Sequence, residues 1–280
     1  MLQEVVEIAP SQFGYDFGRW TTERLSTYLL EQTGIKLSSK QISRILQRKK
    51  YVYIWAKYSL ESKQNQTERA IFREKLQTYL KAGQVEPELL QVWFWDETGF
   101  SLRVVRRKCW TRRGSQKKVT GQRSRGRVNV MGGLRYHDRK RLCYFVDKGN
   151  ADSFVEQLEK LNEFGKQEWI EQGNKSEVYE RIGSRVLVIL ENASYHKRQD
   201  IIEKIEQTLP NLHLWFLPAY SPDFNLIELV WHSCKEFIAH RLFQSVRELQ
   251  EILNRLLNDG ELLINWNKKV RNKGNKLIAN

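Results

Sequence analysis

Apolar residues follow two rhythms along this chain. Up to about residue 82 they recur every three or four positions, the spacing of a helix with one buried face, whereas from residue 91 they also form short unbroken runs typical of buried strands. Leu25, Tyr28 and Leu29 make an i, i+3, i+4 stripe that predicts a helix after Thr21 or Thr22, and Gly34 falls where a left-handed C-terminal cap belongs. A second helix is predicted to start at Ser38. There Ser38 and Gln41 have the spacing of a capping box, and Leu37 and Ile42 that of a hydrophobic staple. Its inner side is Ile42, Ile45 and Leu46; Ser39, Lys40, Ser43, Arg44 and Gln47 face outward, with Arg48-Lys49-Lys50 behind them. Residues 20–46 thus read as a helix-turn-helix whose outer face suits a DNA major groove, with simple packing on a neighbouring domain as the alternative. A polar stretch over 59–82, with Ala70, Ile71, Leu76, Tyr79 and Leu80 at near-helical spacing, predicts a linking helix.

The remainder predicts an α/β unit. Residues 91–96, 127–134 and 141–146 read as three successive strands, a meander. Between the first two, 103–127 is rich in Arg and Lys with Trp110 and Gly114 in its middle, the composition of a hairpin or loop that touches backbone phosphates. Asp152 is placed to cap a helix carrying Phe154, Val155, Leu158 and Leu161. Six unbroken apolar residues, 185–190, predict a central parallel strand ending at Glu191-Asn192. A basic helix over about 198–208, a strand over 213–217, a proline-punctuated turn over 217–225 and helices over 226–239 and 246–257 complete the order. Three strands, helix, strand, helix, strand, helix, with right-handed crossovers, describes an α/β fold: an RNase-H-like mixed sheet with flanking helices. The expected division is a helix-turn-helix or winged-helix domain over 1–58, a linking helix over 59–90 and a sheet domain over 91–280.

Charge adds a partner to this outline. Lys and Arg number 47 against 33 Asp and Glu in 280 residues, a formal net charge of +14, which makes nucleic acid the leading partner. No apolar run approaches the roughly 18 residues of a spanning helix. The opening MLQEVVEIAP lacks a basic region followed by an apolar one, so a cytoplasmic protein without a membrane is expected. Cys109, Cys143 and Cys234 lie far apart with no C-x-x-C pair, which predicts three ordinary buried thiols, and the five histidines form no ligand-spaced group.

Carboxylates supply the candidate chemistry. In the predicted sheet Asp96 ends its run on the first strand beside the strand that ends at Glu191, and the helix after the last strand lowers Glu228 towards both. Three convergent acids repel one another unless cations neutralise them, and hard oxygen ligands favour Mg²⁺ or Mn²⁺ over zinc. A pair of such ions can activate a water or a 3′-hydroxyl and stabilise the leaving oxygen at phosphorus.

Three segments of the sequence resemble one family. They are Trp93-Phe94-Trp95-Asp96-Glu97-Thr98-Gly99-Phe100, Leu190-Glu191-Asn192-Ala193-Ser194-Tyr195-His196, and 217–231, LPAYSPDFNLIELVW. In these the chain resembles the bacterial IS630-type transposases, relatives of the Tc1/mariner group within the DDE superfamily. The resemblance implies Asp96 as the first metal ligand and Glu228 as the last, with position 191 holding the second acidic ligand, normally Asp. Glu191 adds a methylene that shifts the carboxylate by roughly 1 Å, and a displacement of that size costs about 10²-fold in rate. Asp147 and Asp152 fall outside the motifs, Glu97 faces the other side of its strand, and Asp223 and Asn225 shape the turn before Glu228. Relatives carry a further helix-turn-helix ahead of the one seen here, so an N-terminally shortened DNA-binding domain is expected. Also implied are cut-and-paste transposition at a TA target, two divalent ions, double-stranded DNA (transposon ends and target) as partner, a homodimer on DNA and a nucleoid-associated location. A catalytically impaired remnant that only binds DNA is the alternative expectation; a general RNase-H-type nuclease fits the aromatic-rich motifs less well.

Overall fold

A computed structural model describes residues 1–54, 56, 60–112, 115, 117–121 and 125–266. The chain forms two compact units, Met1–Ser59 and Leu60–Asn280. In the first, α1 (Leu2–Glu7) precedes α2 (Thr22–Thr33) and α3 (Ser39–Arg48). The Thr21 side chain accepts from the Arg24 N–H to cap α2, and Gly34 closes it with φ 71°, a left-handed conformation that costs glycine nothing. Ser38 and Gln41 form the reciprocal capping box at the start of α3. Leu25, Tyr28, Leu29 and Ile42 make the core with Val5 of α1, while Ile45 and Leu46 are only half-buried. Two short helices cannot cover Trp20 and Tyr28 alone; Phe13, Tyr15 and Phe17 close over them in edge-on ring contacts, so the unit reaches well N-terminal of 20–46.

The second unit runs α4 (Gln66–Val85), β1 (Leu90–Ser101), β2 (Arg127–Arg135), β3 (Arg141–Val146), α5 (Ala151–Glu171), α6 (Tyr179–Ile182), β4 (Arg185–Leu190), α7 (Gln199–Thr208), β5 (Leu212–Phe216), α8 (Glu228–Phe237) and α9 (Val246–Leu257). Among the described residues its sheet has five strands in the order β3-β2-β1-β4-β5. The meander β1-β2-β3 is antiparallel, and β4 and β5 add in parallel to β1 and to each other. The expected mixed sheet is thus present, with three differences in detail. β1 continues past Asp96 to Ser101, because β2 pairs along it as far as Arg127 opposite Ser101. The cap of α5 is Asn150, whose Oδ1 accepts from the Ser153 N–H, rather than Asp152. The helix expected from 226 starts at Glu228, because a tight turn over Pro222–Phe224 precedes it.

Alternation along β1 separates two cores. Val92, Phe94 and Phe100 face α4, α8 and α9; Trp93 and Trp95 face α5 and α7. The glycine pair in β2 makes room for tryptophans on both faces. A Cβ on Gly132 would stand 3.1 Å from the Trp231 ring and 3.0 Å from Cys143 Sγ, and one on Gly133 2.9 Å from the Trp95 ring. The helix α4, predicted to link domains, is built into the first core through Phe72, Leu76 and Leu80, while Ile71 and Tyr79 are exposed. Buried Cys143 and Cys234 have thiols pushed up to about 12 by burial, whereas Cys109 is exposed rather than buried. The described part of 103–125 forms no helix or strand, Trp110 in it is fully exposed, and Gly114 lies outside the described residues. Among the described residues no helix is long and apolar enough to cross a membrane.

At the far end of β2, Arg135 is buried among acids. Its guanidinium donates to Asp138 (3.0 and 2.6 Å) and to Glu168, and lies 5.3 Å over the Trp93 ring. Burial pushes the Asp138 carboxyl up, but Arg135 and the Lys140 N–H more than offset this and hold it below its usual value. Arg135→Ala is expected to cost about 2–3 kcal/mol, less than the ~3–5 of a fully buried pair because both acids keep solvent contact. Asp138 titrates lower in the folded than in the unfolded chain, so its contribution is complete above about pH 4 and lost as pH falls through the folded value. Urea unfolding of both proteins at pH 7 and pH 3 checks this: the gap between them should narrow at the lower pH.

Candidate active site

The site is assembled where β1 and β4 run parallel. Phe94 pairs with Ile189, and two residues beyond, each strand delivers an acid at the same level, Asp96 and Glu191. Glu228 opens α8, on the sheet face that Asp96 shares with Phe94 and Val92, and a helix N-terminus favours a carboxylate there. The three expected acids are therefore brought into mutual influence. Asp96 is half-buried by exposed surface, yet its carboxyl is held well above the usual range, first by burial and then by Glu191, Glu228 and Glu97. As the side chains stand they are not gathered into one coordination sphere: among the described residues, no group of three His, Cys, Asp or Glu is arranged to hold a metal ion.

Backbone and side-chain ties fix these acids from behind. The Trp231 indole Nε1–H donates to Asp96 Oδ2 at 3.0 Å, across the space that Gly132 leaves. Asn225, fully buried, donates through Nδ2 to the Trp95 carbonyl at 3.0 Å, joining the turn before Glu228 to the residue before Asp96. Asp223, expected to shape that turn, does so by a buried two-pronged ion pair with Arg69 of α4, at 2.7 and 3.0 Å, with the Arg69 guanidinium 4.6 Å over Phe224. Glu97 faces the opposite side of β1, as alternation requires. There its Oε1 meets His196 Nε2 at 3.0 Å, and His196 Nδ1 donates to the Glu191 carbonyl at 3.1 Å. Neither Trp231 nor His196 stands out by composition or periodicity: Trp231 falls on the apolar side of its helix, and the five histidines form no ligand-spaced group. The available signal was position: each lies in the same short motif as one of the acids.

The loop after β5 forms the rim of a cleft of about 620 Å³, lined by Glu191, Asn192 and Glu228 and by Leu217, Pro218, Ala219 and Tyr220 among others. Asn192 Nδ2 donates to the Leu217 carbonyl and so closes one edge of this cleft. Neither Asp147 nor Asp152 is among its lining residues. In the first unit, Lys40, Arg44 and Gln47 of the residues expected to read DNA are exposed on α3 away from fully buried Ile42, whereas Ser39 and Ser43 flank Ile42 and are half-buried.

A mixed five-stranded sheet of this topology with flanking helices is an RNase-H-like fold, and comparisons with known proteins agree. The family of DDE superfamily endonucleases matches residues 91–250, and the winged helix-turn helix family matches 16–76. The chain belongs to the DDE superfamily endonucleases. It is 23% identical over 262 residues to an insertion element IS630 uncharacterized 39 kDa protein from Shigella sonnei, covering 91% of this chain and 70% of that protein. Its fold is similar to that of the mariner Mos1 paired end complex with Mg (TM-score 0.62, 17% identity, 93% of this chain and 71% of that one). A pre-cleavage Mos1 transpososome gives a TM-score of 0.58 at 16% identity, over 91% of this chain and 70% of that one.

The contact of Trp231 with β2 generates a stability prediction. Gly132→Ala would press a methyl against the Leu142 carbonyl, Cys143 and Trp231, and is expected to cost about 1–3 kcal/mol by overpacking. Gly121→Ala, made where nothing lies within 4 Å, should leave the unfolding midpoint almost unchanged; thermal unfolding of both variants checks the contrast.

Proposed function

We propose that this chain is a cut-and-paste DNA transposase that hydrolyses phosphodiester bonds at its element's ends and joins the released 3′-hydroxyls to a TA target. The observation that carries the reading is the level placement of Asp96 and Glu191 just beyond the paired stretch of parallel β1 and β4, with Glu228 near enough to raise Asp96, in a member of an endonuclease family. These three carboxylates are the proposed ligands of two divalent cations, Mg²⁺ or Mn²⁺, because the donor set is all hard oxygen and Asp96 is raised by burial and then by Glu191, Glu228 and Glu97. When bound, such ions would supply Lewis-acid stabilisation of charge at phosphorus. The protein's own part is orientation: Trp231 fixes Asp96, Asn225 sets the approach of α8, and His196 holds the backbone at Glu191.

DNA recognition is assigned to the outer face of α3, through Ser39, Lys40, Ser43, Arg44 and Gln47, supported by the +14 net charge. The Mos1 structures are paired-end complexes, and a homodimer holding two transposon ends and then target DNA is the corresponding assembly proposed for this chain. The proposed domains are a DNA-reading domain over 1–58 and a catalytic domain over 91–280 that takes α4 of the 59–90 segment into its core; the proposed place of work is the nucleoid in the cytoplasm.

Nicking of a duplex that carries the inverted repeats flanking the gene, with Mg²⁺ or with EDTA, tests the chemistry. The expected result is slow, metal-dependent nicking that rises by about 10²-fold in Glu191→Asp and vanishes in Asp96→Asn. Nicking by Glu191→Asp alone would favour the second reading, a DNA-binding remnant, which Glu191 itself motivates. Absence of nicking in every variant would overturn the nuclease assignment. For the recognition face, Lys40→Ala and Arg44→Ala should each weaken duplex binding and lower the slope of log affinity against log salt by about 1, as measured by fluorescence anisotropy.

A further inference from the structure

On the rim of the cleft that holds Glu191 and Glu228 stands an aromatic side chain the fold does not need. Tyr220 is 46% exposed, makes no part of either sheet core, and has φ 57°, in the left-handed region where a residue with a branched-out ring pays for its place and glycine or asparagine would not. The surroundings keep it there. Gln64 Nε2 donates to the Tyr220 carbonyl at 2.7 Å, and Lys63 Nζ lies 5.7 Å from the ring centroid. An exposed ring beside an ammonium group offers a flat surface for a base and a cation for the adjoining phosphate, the two chemical halves of one nucleotide.

We propose that Tyr220 and Lys63 form a nucleotide subsite, in which the ring stacks on an unpaired base of single-stranded DNA and Lys63 pairs with its phosphate, beside the proposed catalytic carboxylates. The inference rests on the nuclease reading above and deepens it by naming a residue that selects unpaired ends. A backbone held in a left-handed conformation presents the ring in a set direction, so little ordering entropy is lost on stacking. Tyr220 contributes its π-face and not its hydroxyl. Phenylalanine should therefore replace it, and alanine or glycine should not.

Binding in EDTA, where no cleavage occurs, tests this with a duplex bearing a 2-aminopurine-labelled single-stranded 3′ overhang and with the same duplex blunt-ended. The wild type is expected to quench 2-aminopurine emission on binding. Tyr220→Ala and Tyr220→Gly should lose the quenching and bind the overhang roughly 5- to 100-fold more weakly, the range of base–aromatic stacking, while blunt duplex is held as before. Tyr220→Phe should match the wild type within about twofold, and Lys63→Ala should lower the salt slope for the overhang by about 1. Tyr220→Gly also relieves the backbone, so a gain in thermal midpoint together with lost quenching separates stacking from a structural role. Overhang binding and quenching unchanged in Tyr220→Gly, or equal losses for blunt and overhang DNA, would overturn the subsite. Failure of the wild type to bind either DNA would instead sink the function on which it rests.

Discussion

The parallel ladder between β1 and β4 is the constraint from which the site follows. Its register, Leu90 with Arg185 through Phe94 with Ile189, brings residues 96 and 191 level just where the pairing ends. Carboxylates at that level repel each other and give up solvent, and something must hold them against both. Below them lie Trp93, Phe94, Trp95, Val188, Ile189 and Leu190, each fully buried. Sliding β1 by one residue would turn Asp96 to the other face and drive alternate tryptophans out of their core, so the apolar pattern that fixes the register also fixes the acids.

Polar ties then converge on the segment that ends in Glu228. Asp223 is gripped by Arg69, Asn225 reaches the Trp95 carbonyl, and Trp231 reaches Asp96, so three successive parts of one turn and helix are joined to α4 and β1. The first two ties are buried and the third part-buried, and a buried hydrogen bond left unmade costs about 1–3 kcal/mol. That makes the turn a rigid bracket and not a mobile loop, and a bracket is what a helix-borne acid needs to approach a strand-borne one reproducibly. The glycine at 132 belongs to the same device, since only a residue without a side chain lets the indole lie across β2 and still reach Asp96.

Much of this was legible in the sequence, and the illegible part has a common cause. Caps at Ser38 and Gly34, the run 185–190 and the order of strands and helices rest on local patterns, and the structure reproduces them. The acids were legible as ends of apolar runs. What local pattern does not report is what a residue touches far along the chain. Arg69 counts as polar in any periodicity, yet it is buried against Asp223, 154 residues away, and so α4 reads as a linker when it is part of the core. Trp231 satisfies the inner stripe of its helix whether or not its N–H meets a carboxylate 135 residues earlier. The aromatic cover over 13–17 escaped for the same reason, its partners Trp20 and Tyr28 lying beyond the window of any single helix.

Glu191 can be weighed in these terms. Its backbone is fastened on both sides: the carbonyl accepts from His196, and the next residue, Asn192, donates to Leu217 on β5's side of the cleft. The chain cannot shift at position 191 without breaking both contacts and pulling His196 from Glu97. Accommodation is left to the side-chain torsions, which are cheap to change compared with buried hydrogen bonds. Glu191 and Glu228 line the same cleft, whereas Asp96 is tied to Trp231, so the Glu191 carboxylate adjusts within the cleft. A change of side-chain length at position 191 should therefore act on the spacing of the proposed site's acids and leave intact the framework that positions them.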